Sequence, residues 1–200
     1  MTTDKKKLIL ETASQLFLSY GIQHLTMDDI ANDCGISKKT IYKHFQNKSD
    51  LILQIIEIKI TTFSENLSEL NSVSENAVNE LYCFFNIIND LVRSFSPTVL
   101  KDLRKFHLTF YLKYEQLKTD IILPFLIANI KKGIQENLYK SDLNIEETTH
   151  SILNILNVWF KEDFIADKAS FKSLEFLQNI LLHRLITLKG LKKLSKVTQN

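Results

Sequence analysis

The segment from residue 26 to residue 48 constrains the fold of this 200-residue chain more than any other segment. Thr26 and Asp29 have the spacing of a capping box, in which the threonine hydroxyl and the carboxylate each accept a backbone N–H. Gly35 suits the left-handed backbone that ends a helix, and Ser37 suits the start of the next one. The segment therefore predicts two short helices joined by a tight turn, which is the layout of a helix-turn-helix motif.

The second helix of this motif has two faces of different chemistry. At ~100° per residue, Ile41 and Phe45 lie on one face, which we expect to be buried. Lys39 and Lys43 lie one turn apart on the opposite face, with Thr40 beside them. The outward face of such a helix lies in the DNA major groove, so these side chains are candidates for base contacts. The alternative is an ordinary solvated helix face.

Polar side chains on either side of this face are candidates for contacts with the DNA backbone. Tyr42 and His44 fall on the two flanks, where phosphates line the groove. Lys48 opens the following helix, with Asn47 as its predicted cap and Asp50 three residues further on. A helix N-terminus that carries a lysine attracts phosphate through its free N–H groups and through the added charge.

These residues belong to a longer pattern that begins in the preceding helix. The pattern comprises Ile9, Ala13, Leu16, Phe17, Gly21, Thr26, Ile30, Ala31, Gly35, Ile36, Ser37, Lys38, Thr40, Ile41, Tyr42, His44, Phe45, Lys48 and Leu51. It resembles the N-terminal domain of TetR/AcrR-family transcriptional regulators. In that family the N-terminal domain binds operator DNA, and the C-terminal domain dimerises and usually binds a small effector.

Carried over position by position, the resemblance implies which residues contact operator DNA. It implies phosphate contacts from Thr26, Tyr42, His44 and Lys48. It implies base or groove contacts from Lys38, Lys39, Thr40 and Lys43. Ser37, which caps the second helix, completes the predicted DNA-binding set. Because the family varies most at the positions of Lys38, Lys39 and Lys43, the operator sequence does not follow from the resemblance.

Composition limits the class of protein. The formal net charge of +2 is nearly neutral, so only the segregation of the lysines onto one face supports nucleic-acid binding. Two cysteines make no disulfide framework and fit a reducing cytoplasm. No apolar stretch approaches the ~20 residues that a membrane span needs, and no secretory signal follows the charged start. We therefore expect a cytoplasmic protein with no membrane partner.

Two prolines and four glycines in the whole chain favour long helices. We expect an all-α fold of about nine helices. A three-helix DNA-binding domain at 1–48, with its helix-turn-helix at about 27–46, precedes a C-terminal helical bundle at 49–200, and the helix that starts at Lys48 joins them. Pro124 should kink or break one long helix. The predicted helices outside the motif are 4–20, 48–70, 75–95, 97–107, 110–138, 145–164 and 171–189, followed by a frayed, lysine-rich tail.

The last two predicted helices are apolar on more than one side. A small domain cannot bury two full apolar stripes on peripheral helices, so we expect part of this surface to meet a second subunit. Pairing both helices with their symmetry copies gives a four-helix dimer interface, which the family resemblance also implies. The alternative is that both stripes are internal core. The predicted interface residues are Ile152, Leu156, Phe160, Leu174, Leu177, Leu181 and Leu185.

The C-terminal part is rich in aromatic residues, which suggests a small-molecule pocket. Aromatic side chains with a few polar groups line typical pockets, although an aromatic stripe on a helix more often belongs to the core. Cys83 lies beside these aromatics, as either a redox or electrophile sensor or a small apolar residue. The candidate pocket residues are Tyr82, Phe85, Phe106, His107, Phe110, Tyr111, Tyr114, Phe125, Asn154 and Trp159.

These patterns predict a sequence-specific regulator, a homodimeric repressor that a small apolar or amphipathic ligand releases from double-stranded operator DNA. One alternative is a DNA-binding regulator controlled by a protein partner or without an effector. An enzyme is the rival class, but the chain lacks a glycine-rich phosphate loop, a nucleophile elbow, a metal-ligand helix and paired carboxylates in an apolar setting. We expect no catalytic residue, no metal site and no cofactor.

Overall fold

Helices account for nearly all the regular structure of this chain. The computed structural model describes residues 2–93, 97–106, 108–159 and 168–197. Within these ranges it contains eleven α-helices and one π-helical turn, which confirms the all-α prediction with more helices than expected. No helix in the same ranges is both long enough and apolar enough to cross a membrane. The helices are α1 (Thr2–Tyr20), α2 (Met27–Asp33), α3 (Lys38–His44), α4 (Lys48–Val73), α5 (Ala77–Arg93), α6 (Pro97–Phe106), α7 (Leu108–Leu117), the π-helical turn (Lys118–Ile122), α8 (Leu123–Gln135), α9 (Ile145–Trp159), α10 (Lys168–Leu185) and α11 (Leu188–Val197).

The chain folds into two compact units. The first comprises Met1–Thr62 and Phe95–Tyr114, and the second comprises Phe63–Ser94 and Glu115–Asn200. The first unit therefore adds α6 and most of α7 to the N-terminal helices, although both follow α5 in the chain. The predicted boundary at residue 48 separates the part that binds DNA from the rest of the chain, whereas the two units are separated by how their residues pack. The boundary at residue 48 therefore stays a prediction.

The core of the first unit joins the helix-turn-helix motif to helices that precede and follow it. Its fully buried side chains include Ile9 of α1, Ile30 of α2 and Ile41 of α3. Val99 and Leu103 of α6 belong to the same core. Burial of an aliphatic side chain of this size contributes ~1.5–3 kcal/mol. The hydrophobic effect that holds α3 therefore also holds α6 in this unit.

A buried polar cluster links α5 to α8 in the second unit. The Tyr139 hydroxyl lies 2.8 Å from the carbonyl oxygen of Ala77 and 2.9 Å from Oδ1 of Asn129, and it donates to these acceptors. Asn129 Nδ2 donates to Oε2 of the buried Glu80 at 2.6 Å. Burial, and then the charges of Glu80 and Glu136, raise the pKa of Tyr139 well above its usual value. The tyrosine therefore stays a neutral hydrogen-bond donor in this cluster.

The break predicted at Pro124 takes the form of a π-helical turn. α8 begins at Leu123, and Pro124 lies in its first turn, where the missing N–H is tolerated. The Leu123 N–H donates to the carbonyl oxygen of Lys118, five residues back, as in a π-helix. The single helix predicted over 110–138 is thus α7, this turn and α8 in succession.

The C-terminal end differs from the predicted helix over 171–189 and its frayed tail. α10 and α11 are separate helices, and Leu194 of α11 is buried. Between them the Thr187 N–H donates to the carbonyl oxygen of Leu138 at 2.8 Å, and Thr187 Oγ1 accepts the N–H of Gly190. The prediction was wrong because the break depends on this contact with residue 138, which no local pattern contains.

We expect Gly133→Ala to destabilise the second unit. A β-carbon on Gly133 would lie 2.1 Å from the nearest ring atom of Tyr139, so the ring or the helix must move. Alanine gains ~1 kcal/mol over glycine in helix propensity, but overpacking costs ~1–3 kcal/mol or more. The free energy of unfolding, measured in urea, should therefore fall.

The control for this substitution is Ala128→Gly, at an exposed position of the same helix. It reports the difference in helix propensity without the contact to Tyr139. A Gly133→Ala variant that is as stable as the wild type would show that the ring moves without loss and would contradict the expectation.

Candidate DNA-binding surface

The N-terminus of α2 is closed by the predicted capping box. Thr26 Oγ1 accepts the Asp29 N–H at 3.1 Å, and Asp29 Oδ2 accepts the Thr26 N–H at 2.8 Å. The Thr26 hydroxyl also donates to Asp29 Oδ2 at 2.6 Å. Hydrogen bonds from the hydroxyl and then the backbone of Thr26 lower the pKa of the Asp29 carboxyl. A phosphate contact by Thr26, which is exposed, therefore requires the hydroxyl proton to turn away from Asp29.

The turn between α2 and α3 depends on Gly35. Its φ of +64° lies in the left-handed region, where a side chain would be strained. The Gly35 N–H donates to the carbonyl oxygen of Asn32, and the Ile36 N–H donates to that of Ala31, both at 3.0 Å. This pair of bonds is a Schellman motif and confirms Gly35 as the end of the helix. Ile36 packs against the core and so fixes the start of α3.

α3 presents a basic face to solvent because its other face is anchored. Ile41 is fully buried and Phe45 is 1% exposed, as predicted. Lys6 of α1 lies over the Phe45 ring, with its Nζ 5.9 Å from the ring centroid. Lys39 and Lys43 are both exposed. The core contacts thus hold two lysines outward, one helical turn apart.

The polar residues around this face are all at or near the surface. Ser37 Oγ accepts the Thr40 N–H at 3.2 Å, which confirms Ser37 as the cap of α3, and the two side-chain oxygens lie 2.9 Å apart. The Tyr42 side chain is 44% exposed. His44 is half-buried, with its ring centroid 6.5 Å from that of Phe45. Tyr42 is therefore the more accessible of the two predicted flanking contacts.

The side chain of Lys38 forms an ion pair with a residue of α2. Its Nζ lies 2.8 Å from Oδ2 of Asp28, and both side chains are exposed. This hydrogen bond raises the pKa of Lys38. Because exposed ion pairs contribute little to stability, a phosphate or a base edge can replace Asp28 as its partner.

α4 begins with the predicted cap, but its first lysine has an additional role. Asn47 Oδ1 accepts the Asp50 N–H at 2.9 Å. Lys48 Nζ donates to the carbonyl oxygen of Leu25, in the turn before α2. Partial burial lowers the pKa of Lys48, and the negative charge of Asp102 acts in the opposite direction. An ammonium group has three donors, so Lys48 can hold this turn and still reach a phosphate.

Asp102 is a buried acid, and the sequence analysis did not predict the contact that it makes. Its carboxylate accepts the N–H groups of Ile22 and Gln23, in the turn that follows α1. The sequence feature that could have indicated this contact is the acid among the apolar residues of α6. That signal alone does not identify a partner 80 positions earlier in the chain.

Comparison with known proteins shows what the N-terminal part of the chain is similar to. The family described as "Bacterial regulatory proteins, tetR family" matches residues 9–55, which contain most of α1, the helix-turn-helix motif and the first turns of α4. This part of the chain is a TetR-type DNA-binding domain. Its relatives are transcriptional regulators and not enzymes, in agreement with the prediction.

Relatives of this chain resemble its N-terminal part most strongly. The HTH-type transcriptional regulator SAB2452 of Staphylococcus aureus (strain bovine RF122 / ET3-1) is 37% identical over 60 residues, which are 30% of this chain and 32% of that protein. The regulator SAUSA300_2515 of Staphylococcus aureus (strain USA300) is 25% identical over 173 residues, 76% of this chain and 92% of that protein. A TetR-family regulator of known structure from Agrobacterium tumefaciens has the same fold, with a TM-score of 0.71 and 16% identity over 94% of this chain and 100% of that one.

The predicted pocket residues are divided between the two units. In the first unit, Phe110 lines a groove of about 250 Å³ beside α4. Tyr114 is half-buried, and the Tyr111 side chain is exposed. His107 and the side chain of Phe106 lie outside the described residues. The exposure of Tyr111 argues against an enclosed site around α7 within this unit.

In the second unit, core packing explains the buried aromatics. Phe85 and Phe125 are buried, and the rings of Phe84 and Phe125 stack with their centroids 5.1 Å apart. Cys83 is half-buried, and burial raises the pKa of its thiol, which favours its role as a small apolar residue. Of the other candidates, Tyr82 is half-buried, Asn154 is exposed and the side chain of Trp159 lies outside the described residues.

The predicted dimer stripe is mostly buried within the second unit, and its role in an interface stays a prediction. Its buried members are Ile152, Leu156, Leu181 and Leu185, and Leu177 is half-buried. Phe160 and the side chain of Leu174 lie outside the described residues. Among the described side chains of α10, which are those of residues 176–185, the large apolar ones that are exposed are Phe176, at 64%, and Ile180, at 50%. Ile180 also lines a groove of about 330 Å³ between α9 and α10. The exposed apolar surface of α10 therefore lies further around the helix than the predicted stripe.

We expect Lys39→Ala and Lys43→Ala to change which DNA sequence is preferred, whereas Tyr42→Phe and Lys48→Ala weaken binding to all sequences. A good base contact in the major groove discriminates by ~1–3 kcal/mol, whereas phosphate contacts carry no sequence information. Selection from random duplex DNA gives the preferred sequence of each variant. Fluorescence anisotropy over a salt series reports the number of phosphate contacts.

Lys192→Ala is the control, because Lys192 is an exposed lysine of α11 in the second unit. It should bind DNA as the wild type does. Two results together would contradict the assignment of the two faces. Lys48→Ala would bind DNA with unaltered affinity and salt dependence, and Lys39→Ala would lose the same affinity for all sequences.

Proposed function

We propose that this chain is a homodimeric transcriptional repressor that binds operator DNA through α3. The observation that carries the proposal is the outward face of α3, where Lys39 and Lys43 are exposed while Ile41 is buried. Side chains in this arrangement reach the base edges of the major groove. The match of residues 9–55 to the TetR family supports the same role.

The proposed phosphate contacts surround this face. Lys48 opens the 26-residue helix α4, whose N-terminus attracts anions. Thr26 precedes α2, and Tyr42 and His44 flank the base-reading lysines. Lys38, Thr40 and Ser37 complete the proposed groove contacts at the start of α3.

A dimer fits this mode of binding, since two recognition helices must reach successive major grooves ~34–36 Å apart. The exposed Phe176 and Ile180, together with the groove between α9 and α10, support an interface on these helices. Glu147 and Arg184 line the same groove. A two-fold axis can therefore bring the acid of one copy toward the base of the other.

The proposed effector is a small apolar or amphipathic molecule that binds in the second unit. The proposal rests on the aromatic content of the C-terminal sequence, of which the half-buried Tyr82 stays a candidate while Phe85 and Phe125 are buried in the core. Release requires that the ligand favour a dimer whose recognition helices are misplaced for consecutive grooves. A coupling of ~1–3 kcal/mol is sufficient. Control by a protein partner, or by no effector, is the alternative.

Mapping the DNA sites that the protein occupies in its native cell tests the function directly. We expect enrichment of a sequence with two-fold symmetry, upstream of genes whose transcription rises when the regulator is deleted. A fall in transcription would make the protein an activator. The absence of enriched sites would refute DNA-based regulation.

We expect Ile180→Glu to yield monomers, because it places a charge in the apolar groove between α9 and α10. Sedimentation at micromolar concentration measures the change, and DNA affinity should fall with it. Asn179→Glu is the control, since Asn179 is exposed on the same helix outside that groove. A wild-type protein that sediments as a monomer, or an Ile180→Glu variant that remains dimeric, would contradict this interface.

We expect compounds that stabilise the free protein against heat to weaken its binding to operator DNA. A thermal-shift screen of apolar and amphipathic compounds identifies such ligands. By thermodynamic reciprocity, operator DNA should weaken compound binding by the same factor. Compounds that bind but leave DNA affinity unchanged, or a screen without binders, would favour the alternative of a protein partner or no effector.

A further inference from the structure

We propose that Asp102, on α6, is a positioning residue for DNA binding. It holds the turn that carries Thr26 to the start of α2, although it lies outside the matched segment at residues 9–55. The inference rests on the proposed function, in which Thr26 and Lys48 contact phosphates. It adds a residue that neither the motif nor the family match includes.

Asp102 is buried and makes two hydrogen bonds to the backbone of this turn. The residue is 7% exposed, and its Oδ2 accepts the N–H of Ile22 at 2.8 Å and that of Gln23 at 3.1 Å. α6 lies directly against this turn, because a β-carbon on Gly21 would come within 2.9 Å of Cγ2 of Thr98. The φ of +80° at Gly21 ends α1 at this point. A carboxylate and a glycine therefore meet where the chain leaves α1.

The two N–H groups need an acceptor from outside the turn. Gly21 donates to the carbonyl oxygen of Phe17 and closes α1, so the following N–H groups have left the pattern of helical hydrogen bonds. Ile22 is buried, and a buried N–H without a partner is destabilising. Hydrogen bonds to a carboxylate are stronger than those to a neutral oxygen. Asp102 thus fixes this turn more firmly than a carbonyl acceptor would.

The same turn is held from its other end by Lys48. The Lys48 ammonium donates to the carbonyl oxygen of Leu25, one residue before Thr26. The opposite charges of Lys48 and Asp102 also attract each other across the turn. Residues 22–25 are thus held between an acid from α6 and a base from α4. This arrangement sets the spacing between Thr26 and Lys48, which are two of the four proposed phosphate ligands.

The test compares full-length Asp102→Ala with Leu103→Ala, which removes a buried apolar side chain from the same helix. Both substitutions lower the stability of the first unit. We expect only Asp102→Ala, measured at a temperature where both variants are folded, to weaken binding to operator and to unrelated DNA alike, on the order of tenfold. Asp102→Asn should restore part of the affinity, because its amide oxygen can accept the same two N–H groups.

A double-mutant cycle with Lys48→Ala separates positioning from a general loss of stability. Because Asp102 is proposed to act through the phosphate contact that Lys48 makes, Asp102→Ala should weaken DNA binding much less in the Lys48→Ala background than in the wild type. Additive losses, or equal losses in Leu103→Ala and Asp102→Ala, would overturn the positioning role. If the wild type selects no DNA, the proposed function itself fails; if it does and Asp102→Ala binds equally well, only the role of Asp102 fails.

Discussion

The burial of Ile41 and Phe45 is the contact on which the DNA-binding surface depends. α3 is only seven residues long, and an isolated helix of that length is not stable in water. Its formation and its rotation are therefore set by packing against the core of the first unit. With these two side chains inside, helical geometry directs Lys39 and Lys43 outward, and both are exposed. The basic face is thus a consequence of the apolar one.

The core that anchors α3 is completed by a helix from elsewhere in the chain. Val99 and Leu103 of α6 pack among the residues of α1 and α4, and Asp102 on the same helix binds the turn before α2. Whatever changes the position of α6 therefore acts on this turn through a hydrogen-bonded acid. A shift of α6 would reach this turn directly, because the same helix makes the apolar contacts with the core and the hydrogen bonds with the turn.

The second unit shows why a two-sided apolar helix does not reveal which side is inside. Asn89 of α5 donates to Gln178 of α10 at 3.1 Å in the core, so that face of α10 is directed inward. Leu181 and Leu185 lie close to Gln178 around the helix and are buried with it. Phe176 and Ile180 are then left on the surface. The buried pair of Asn89 and Gln178 lies on the same face of α10 as these leucines and marks the side that is directed inward.

The sequence by itself determined the parts of this protein that depend on residues close together in the chain. The capping box at Thr26, the left-handed turn at Gly35, the break at Pro124 and the inward face of α3 each follow from spacing within one or two helical turns. Tertiary structure alone decided that Lys48 and Asp102 hold one turn from both ends, and that α10 stops where Thr187 meets Leu138. These contacts join residues 23 to 80 positions apart. Periodicity along a helix contains no information about which distant backbone group a side chain will reach, because the answer depends on how all the helices pack together.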